Sequence, residues 1–145
     1  MIIRKAKPSD LKQIAEIFWI ESSKPPYNKK RTPEKALNRI KEDFRSNDLY
    51  IVIINNSIIG FVMVQRDSGI KNQLWINEIW ILKEYQGQGI GKKLMEEIEN
   101  IYKKKGIKIF ELVAHTGKGG ALNFYKKIGY AIDDSMVFMK KTITN

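Results

Sequence analysis

The 145-residue sequence contains no cysteine and a single histidine, His115. Without thiols the chain can form no disulfide, no thiolate metal site and no acyl-cysteine intermediate, and the redox compartment stays undecided. A metal site needs several donor side chains close together, and the sequence shows no such cluster. We therefore expect no metal, and we interpret His115 as a residue at the end of a strand.

Long apolar runs are also missing. The first residues, MIIRKAKPSD, contain a short apolar run that ends at Arg4, and no run approaches the ~20 residues of a membrane span. We predict a cytoplasmic protein with no membrane partner. A chain of this length buries about 70% of its unfolded surface, so residues 1–145 are predicted to form one domain.

Acidic residues are in the minority. Lysine and arginine number 26 against 16 aspartate and glutamate residues, which gives a net charge of +10. Such an excess favours a polyanionic partner such as nucleic acid, an acidic membrane or a phosphorylated cofactor, although a general preference for lysine would produce it too. A basic nucleic-acid-binding module is one alternative. The sequence lacks a recognition-helix signature and an interleaved stacking motif, so we do not expect a nucleic-acid partner.

Hydrophobic periodicity and turn residues predict an α/β chain. Strands are predicted over residues 2–5, 49–54, 58–64, 74–82, 107–114 and 130–140. Helices are predicted after Pro8-Ser9-Asp10, after Thr32-Pro33, after a glycine-rich stretch at 87–91, and over 121–128. Turns are predicted at Asn55-Asn56-Ser57 and at Asp67-Ser68-Gly69.

The glycine-rich stretch, Gln86-Gly87-Gln88-Gly89-Ile90-Gly91, follows a strand and opens an amphipathic helix with Lys92 and Lys93 in its first turn. Acidic residues normally occupy that turn, because the helix dipole is positive there. Its spacing fits neither a Walker loop nor a dinucleotide fingerprint. The glycines would let a phosphate approach the backbone amides, so we predict an anion-binding turn. An ordinary glycine-rich turn is the alternative.

Two motifs resemble a known family. The pattern Gln86-x-x-Gly89-x-Gly91 resembles the R/Q-x-x-G-x-G/A signature of the GNAT superfamily of acetyl-CoA-dependent N-acetyltransferases. Residues 121–130, ALNFYKKIGY, resemble the family's A-x-x-F-Y-x-x-x-G-F/Y, and the order of predicted elements fits along essentially the whole chain. The resemblance implies a GNAT fold, with a mostly antiparallel mixed sheet of about six to seven strands and about four flanking helices.

The resemblance also implies where acetyl-CoA, the expected co-substrate, would bind. The pyrophosphate would lie on the amides of Gly87 through Lys92, and the pantetheine arm would pair with a strand edge. The cofactor-binding residues implied in this way are Ile79, Trp80, Ile81, Gln86, Gly87, Gln88, Gly89, Ile90, Gly91 and Lys92. Lys118 stands where many relatives have an asparagine, so contacts from residues 115–120 to the arm are left open.

Acetyl transfer to an amine needs a base, a polarised carbonyl, a proton for the departing thiolate and a dry site. Glu78, within an apolar strand, and Glu111, in IFELV, are the candidate bases, with Glu78 preferred; either could instead be a structural carboxylate. Tyr125 matches the tyrosine that serves many relatives as general acid, while packing beside Phe124 is its alternative role. A backbone N–H near Ile81 would polarise the carbonyl.

The function implied by the resemblance is transfer of an acetyl group from acetyl-CoA to a primary amine of a small molecule or protein, directly within a ternary complex. A non-catalytic acetyl-CoA sensor would keep the same fold. The segment KPPYNKKR has one acidic residue at its edge, Glu21, which disfavours a polycationic acceptor. Tyr27 and the tryptophans could line an apolar pocket or pack in the core. The acceptor's identity stays open, and both a monomer and a homodimer are compatible with the sequence.

Overall fold

The computed structural model describes residues 1–66 and 69–144. Its elements are β1 (Ile2–Lys5), α1 (Leu11–Ser22), α2 (Pro33–Phe44), β2 (Asn47–Ile54), β3 (Ser57–Gln65), β4 (Gln73–Ile81), α3 (Ile90–Lys103), β5 (Ile109–Glu111) and α4 (Leu122–Lys127). Short 3-10 turns at Pro8–Asp10 and Lys83–Tyr85 precede α1 and follow β4. The predicted order of elements from β1 to α4 is confirmed. Of the turn predicted at 67–69, residues 67 and 68 lie outside the described residues.

The strands form one sheet in the order β1-β2-β3-β4-β5. The first four strands are antiparallel neighbours, and β5 runs parallel to β4. At the β2–β3 hairpin, Asn55 and Asn56 both adopt left-handed backbone conformations, with φ of 50° and 62°. Two consecutive residues of positive φ match the right-handed twist of the flanking strands, so the predicted hairpin is confirmed.

The predicted number of strands is too high, because the sheet has five strands in the described residues rather than about six to seven. The segment predicted over 107–114 pairs with β4 only along β5, and the segment predicted over 130–140 forms no strand in the described chain. Tyr130 packs against the core, but the side chains of residues 131–140 are exposed, with Phe138 84% exposed. β-Propensity reports how well side chains fit a sheet, whereas a strand also requires a neighbouring backbone to pair with.

The helices cover both faces of the sheet. Alternate residues of β2 point to opposite faces, so Leu49 and Ile51 pack with α1 and α2 while Tyr50 and Val52 pack with α3. Burial on both faces explains why the middle strands read as continuous apolar runs. Within residues 1–66 and 69–144, every helix is too short or too polar to cross a membrane.

The β4–β5 pair separates part-way along its length. Hydrogen-bonded pairing joins Gln73–Trp75 to residues 109–111, and the register ends at Trp75 and Glu111. Beyond that point β4 stays paired with β3 on its other side, as far as Ile81. Among the described residues, the separation leaves one edge of β4 without a strand neighbour beyond Trp75 and opens a gap in the sheet, which is where the candidate site lies.

Candidate active site

A cavity of about 70 Å³ occupies the gap between β4 and the chain that follows β5. Its lining includes Glu78, Ile79 and Trp80 from β4, Tyr27 from the segment between α1 and α2, and Tyr125 from α4. The fold therefore brings together the preferred candidate base and the candidate acid, although they lie far apart in the sequence.

The Glu78 carboxylate is held by two donors. The indole Nε1 of Trp80 donates to Oε2 at 2.7 Å, and Nη2 of Arg39 donates to Oε1 at 3.3 Å. Burial raises the pKa of Glu78 above its usual value, although the Trp80 hydrogen bond and the Arg39 charge act in the opposite direction. A carboxylate with a raised pKa in a cavity has the properties of a general base that works near neutral pH.

Tyr125 is buried in α4, with 7% of its surface exposed. Its ring packs edge-to-face on Phe124 and Tyr130, at centroid distances of 5.2 and 5.8 Å. Burial raises the pKa of Tyr125, and the nearby Tyr27 and Glu78 add to the effect, so the hydroxyl stays protonated at neutral pH. Tyr125 thus both packs in the core and offers a proton donor to the cavity.

The glycine-rich turn adopts the backbone that its glycines allow. Gly87 and Gly89 have φ of 75° and 78°, in the left-handed region that favours glycine. Gly89 is the N-cap of α3, which starts at Ile90 with no side-chain cap and no acidic residue in its first turn. The first amides of α3 therefore lack a side-chain partner where the helix dipole attracts an anion. Lys92 lies in this turn and is exposed.

The free edge of β4 presents only some of its backbone groups. The Leu82 N–H donates to the Ile59 carbonyl of β3 at 2.9 Å. Because backbone groups alternate in direction along a strand, those of Trp80 also face β3, while those of Ile79 and Ile81 point toward the gap. Of the three β4 residues expected to pair with a pantetheine arm, Ile79 and Ile81 therefore direct their backbone groups toward the gap. Trp80 directs its backbone groups toward β3, and its side chain lines the cavity instead.

Gln86 links the glycine-rich turn to the end of β4. Its Nε2 donates to the carbonyl of Ile81 at 2.8 Å. Gln88 makes a similar bond within the turn, from Nε2 to the carbonyl of Glu84 at 3.1 Å. Both side chains therefore hold the backbone of the turn, a role that the motif pattern does not specify.

Comparison with known proteins identifies the family. The model of the acetyltransferase (GNAT) family matches residues 11–130. The chain belongs to this family. The predicted GNAT fold is thereby confirmed, apart from the number of strands.

Individual relatives agree with this membership. The chain is 31% identical over 108 residues to a spermidine N(1)-acetyltransferase of Thermoplasma acidophilum, an alignment that covers 73% of this chain and 65% of that protein. The chain therefore spans less than two thirds of that relative's length. A possible acetyltransferase from Clostridium difficile 630 superposes with a TM-score of 0.81 at 22% identity, covering 99% and 98% of the two chains.

A second solved structure is an aminoglycoside N-acetyltransferase in complex with CoA. It superposes with a TM-score of 0.75 at 14% identity, covering 98% of this chain and 95% of the other. At such low identities the two structural likenesses show a shared fold alone.

The two GNAT motifs touch each other in this fold. Gly91, in the first turn of α3, lies so close to Phe124 of α4 that a Cβ atom there would be 3.1 Å from the ring. This close approach explains why the last position of the first motif takes only a very small residue. Lys118, where many GNAT relatives have an asparagine, is exposed.

The structure places the candidate base Glu111 differently from Glu78. Glu111 is the last residue of β5 and lies opposite Trp75 in the parallel register. It is absent from the lining of the cavity, whereas Glu78 and Tyr125 both belong to it. The geometry therefore favours Glu78 among the two glutamates of this GNAT chain.

Sequence reasoning missed Arg39, the charged partner of Glu78. Arg39 lies on α2, where its spacing is that of any charged residue on an amphipathic helix, so no local signal marks it as a partner of Glu78.

Tyr27, a possible pocket residue from the sequence, lines the cavity, and its ring centroid lies 4.7 Å from that of Trp80 and 5.6 Å from that of His115. His115 accepts the Gly117 N–H at Nδ1.

Proposed function

We propose that the chain is an acetyl-CoA-dependent N-acetyltransferase that acts on a primary amine by direct transfer in a ternary complex. The observation that carries the proposal is the pair Glu78 and Tyr125 in one cavity, beside the free edge of β4. A base and an acid on the walls of one small space are what proton transfer during amide formation requires.

The free edge of β4 and the start of α3 suit acetyl-CoA, the co-substrate that GNAT proteins use. The uncapped amides of α3 and the left-handed Gly87 and Gly89 fit a pyrophosphate. The backbone groups of Ile79 and Ile81 that face the gap fit an extended arm with amide groups of its own. Lys92 adds positive charge to the same end.

In this proposal Glu78 takes a proton from the acceptor ammonium, directly or through water. The amine nitrogen then forms a bond to the thioester carbonyl carbon, and the carbon–sulfur bond breaks. As that bond breaks, the amide nitrogen loses its second proton through solvent, and Tyr125 donates its proton to the departing thiolate and is reprotonated from solvent. Ammonium and thioester thus become amide, thiol and one released proton, which Glu78 returns to solvent. A backbone N–H at the end of β4 would stabilise the developing oxyanion.

We expect acetyl-CoA to stabilise the fold, by about 2.7 kcal/mol at a hundredfold excess over its dissociation constant. Gly89→Ala should remove this stabilisation, because alanine in the left-handed conformation costs ~1–2 kcal/mol and shifts the first amides of α3. Thermal denaturation of both proteins with and without millimolar acetyl-CoA measures the effect. An unshifted melting temperature for the wild type would contradict coenzyme binding.

Gly106→Ala provides the matched control for this experiment. Gly106 follows the other end of α3 and also has a left-handed φ, of 92°, and a Cβ atom added there would likewise meet no other atom within 4 Å. The two variants should lose similar stability without coenzyme, since the same strain is introduced. The Gly106 variant should keep the full acetyl-CoA shift.

The test of catalysis is an acceptor screen that measures release of free thiol from acetyl-CoA. Release that depends on an added amine supports the transferase. Stabilisation by acetyl-CoA without thiol release for any amine would instead indicate the non-catalytic sensor. Retardation of DNA without acetyl-CoA binding would favour the basic nucleic-acid-binding module.

A further inference from the structure

Two guanidinium groups lie around one aromatic ring on the helical side of Glu78. The Cζ atom of Arg31 is 4.4 Å from the centroid of Phe18, and that of Arg39 is 5.3 Å from it. The Phe18 ring packs edge-to-face on Trp80 at 6.1 Å, and Trp80 donates to Glu78. These five residues form one cluster, which we call the arginine cluster. Glu78 and Trp80 of this cluster line the cavity, and Phe18 and the two arginines lie behind them.

The positive charge of the arginine cluster is only partly balanced. Arg39 pairs with Asp43 at 3.4 Å and with Glu78 at 3.3 Å. Arg31 makes no ion pair in the described part of the chain, and its Nη1 atom is buried there without a hydrogen-bond partner. Burial lowers the pKa of Arg31, and the neighbouring Arg39 lowers it further. A buried guanidinium donor without an acceptor destabilises a fold unless a ligand supplies that acceptor.

We propose that Arg31, with Arg39 beside it, binds a carboxylate of the acceptor, and that the acceptor is a free amino acid carrying its amine and its carboxylate on one small molecule. This inference rests on the proposed function. A guanidinium presents a planar fork of donors that matches a carboxylate. The positive amine of the amino acid would lie toward the negative Glu78, and its negative carboxylate would lie toward the positive Arg31.

The same charges act against a polyamine. Spermidine, the substrate in the name of the Thermoplasma relative, would bring several positive charges to two arginines, one of which lacks an ion pair among the described residues. Like charges placed together reduce binding, and such repulsion can decide specificity. The arginine cluster is therefore expected to favour an amino acid as acceptor over spermidine.

The experiment compares L-leucine with L-leucinamide, and L-phenylalanine with L-phenylalaninamide, in the thiol-release assay. Each pair differs chiefly in whether a carboxylate is present. We expect the ratio of kcat/KM for acid over amide to fall about 10- to 100-fold in Arg31→Gln, the range of a hydrogen bond to a charged group. The amine of each acid has a different pKa from the amine of its amide. This difference affects the acid-over-amide ratio equally in the wild type and in Arg31→Gln, so it cancels when the two ratios are compared.

Arg45→Gln is the matched control, because it removes the same charge from an exposed arginine that pairs with Glu42 on the surface. We expect its acid-to-amide ratio to equal that of the wild type. Arg31→Lys keeps the charge without the fork and should recover part of the ratio, which also tests the site if Arg31→Gln folds poorly. Melting temperatures establish that each variant is folded.

Other outcomes would overturn the inference in distinguishable ways. If Arg31 serves only to keep Glu78 ionised, Arg31→Gln slows acid and amide equally and moves the acid limb of the pH profile upward. Preference of the wild type for spermidine or for the amides, with the ratio unchanged in Arg31→Gln, would overturn this inference alone. Failure of acetyl-CoA to stabilise the protein, or of every amine to release thiol, would overturn the proposed transferase and the inference together.

Discussion

Glu78→Gln is expected to lower turnover about 10²–10⁴-fold while acetyl-CoA still stabilises the protein fully. Glutamine keeps the size of the side chain and can still accept the Trp80 indole N–H, so the cavity should retain its shape. What it loses is the ability to take a proton from the acceptor. The loss should be greatest at the lower end of the neutral range, where the free amine is scarcest, and steady-state thiol release across pH measures it.

The wild-type pH profile should carry the signature of the same residue. In the proposed mechanism activity requires ionised Glu78. Because burial raises the pKa of Glu78, kcat/KM should fall as pH drops through a value above the ordinary carboxyl pKa. Arg39 favours the ionised form. Arg39→Gln should therefore raise the pKa further and move the acid limb to higher pH.

Glu111→Gln is the control for this assignment. It makes the same chemical change on β5, at a residue that does not line the cavity. We expect near wild-type turnover and an unchanged acid limb. Should Glu111→Gln show the large, pH-dependent loss and Glu78→Gln show none, the base would be Glu111.

Features set by short-range rules could be predicted from the sequence. Asn55 and Asn56 tolerate the left-handed backbone of a tight hairpin, and Gly89 ends a turn where such a conformation is required. The Thr32 hydroxyl accepts the Lys35 N–H at 3.2 Å, which caps α2 where the Thr-Pro pair predicts its start. In each case the residue's own chemistry selects the local conformation.

Features set by tertiary contacts could not be predicted in the same way. The apolar content of residues 130–140 suggests a strand, but no partner backbone lies beside them in the described chain. The gap between β4 and β5 depends on where their pairing stops, at Trp75 and Glu111, and that is a property of both segments together. The arginine cluster joins residues of α1, of the segment between α1 and α2, of α2 and of β4, so no local sequence pattern indicates it.

The family resemblance supplied what the local rules could not. It implied a general acid at Tyr125 and gave loose support to both Glu78 and Glu111 as bases, and the cavity between β4 and the chain after β5 is lined by Glu78 and Tyr125. It could not rank the two glutamates by burial or identify Arg39 as the partner of Glu78. Family membership establishes the fold, whereas the choice of acceptor depends on the side chains of the site.

Tyr125→Phe is expected to lower turnover about 10²–10⁴-fold with little change in stability. Phenylalanine keeps the ring that packs on Phe124 and Tyr130. Among the described residues no hydrogen bond to the Tyr125 hydroxyl occurs, so its removal leaves no buried partner unpaired. A role in core packing alone predicts normal turnover in this variant, and a role as general acid predicts a large loss with acetyl-CoA binding preserved.

Tyr130→Phe removes a hydroxyl from the adjacent ring and serves as the control. The Tyr130 hydroxyl donates to Glu99 at 3.0 Å, so its loss should cost about 0.5–1.5 kcal/mol of stability and leave turnover unchanged. We therefore expect opposite patterns. Tyr125→Phe should lose turnover and keep its stability, whereas Tyr130→Phe should keep turnover and lose stability. Thiol release must be measured in a single turnover with a good acceptor, since slow product release would conceal a change in the chemical step. Wild-type rates for Tyr125→Phe under those conditions would refute the acid role and leave solvent as the source of the thiol's proton.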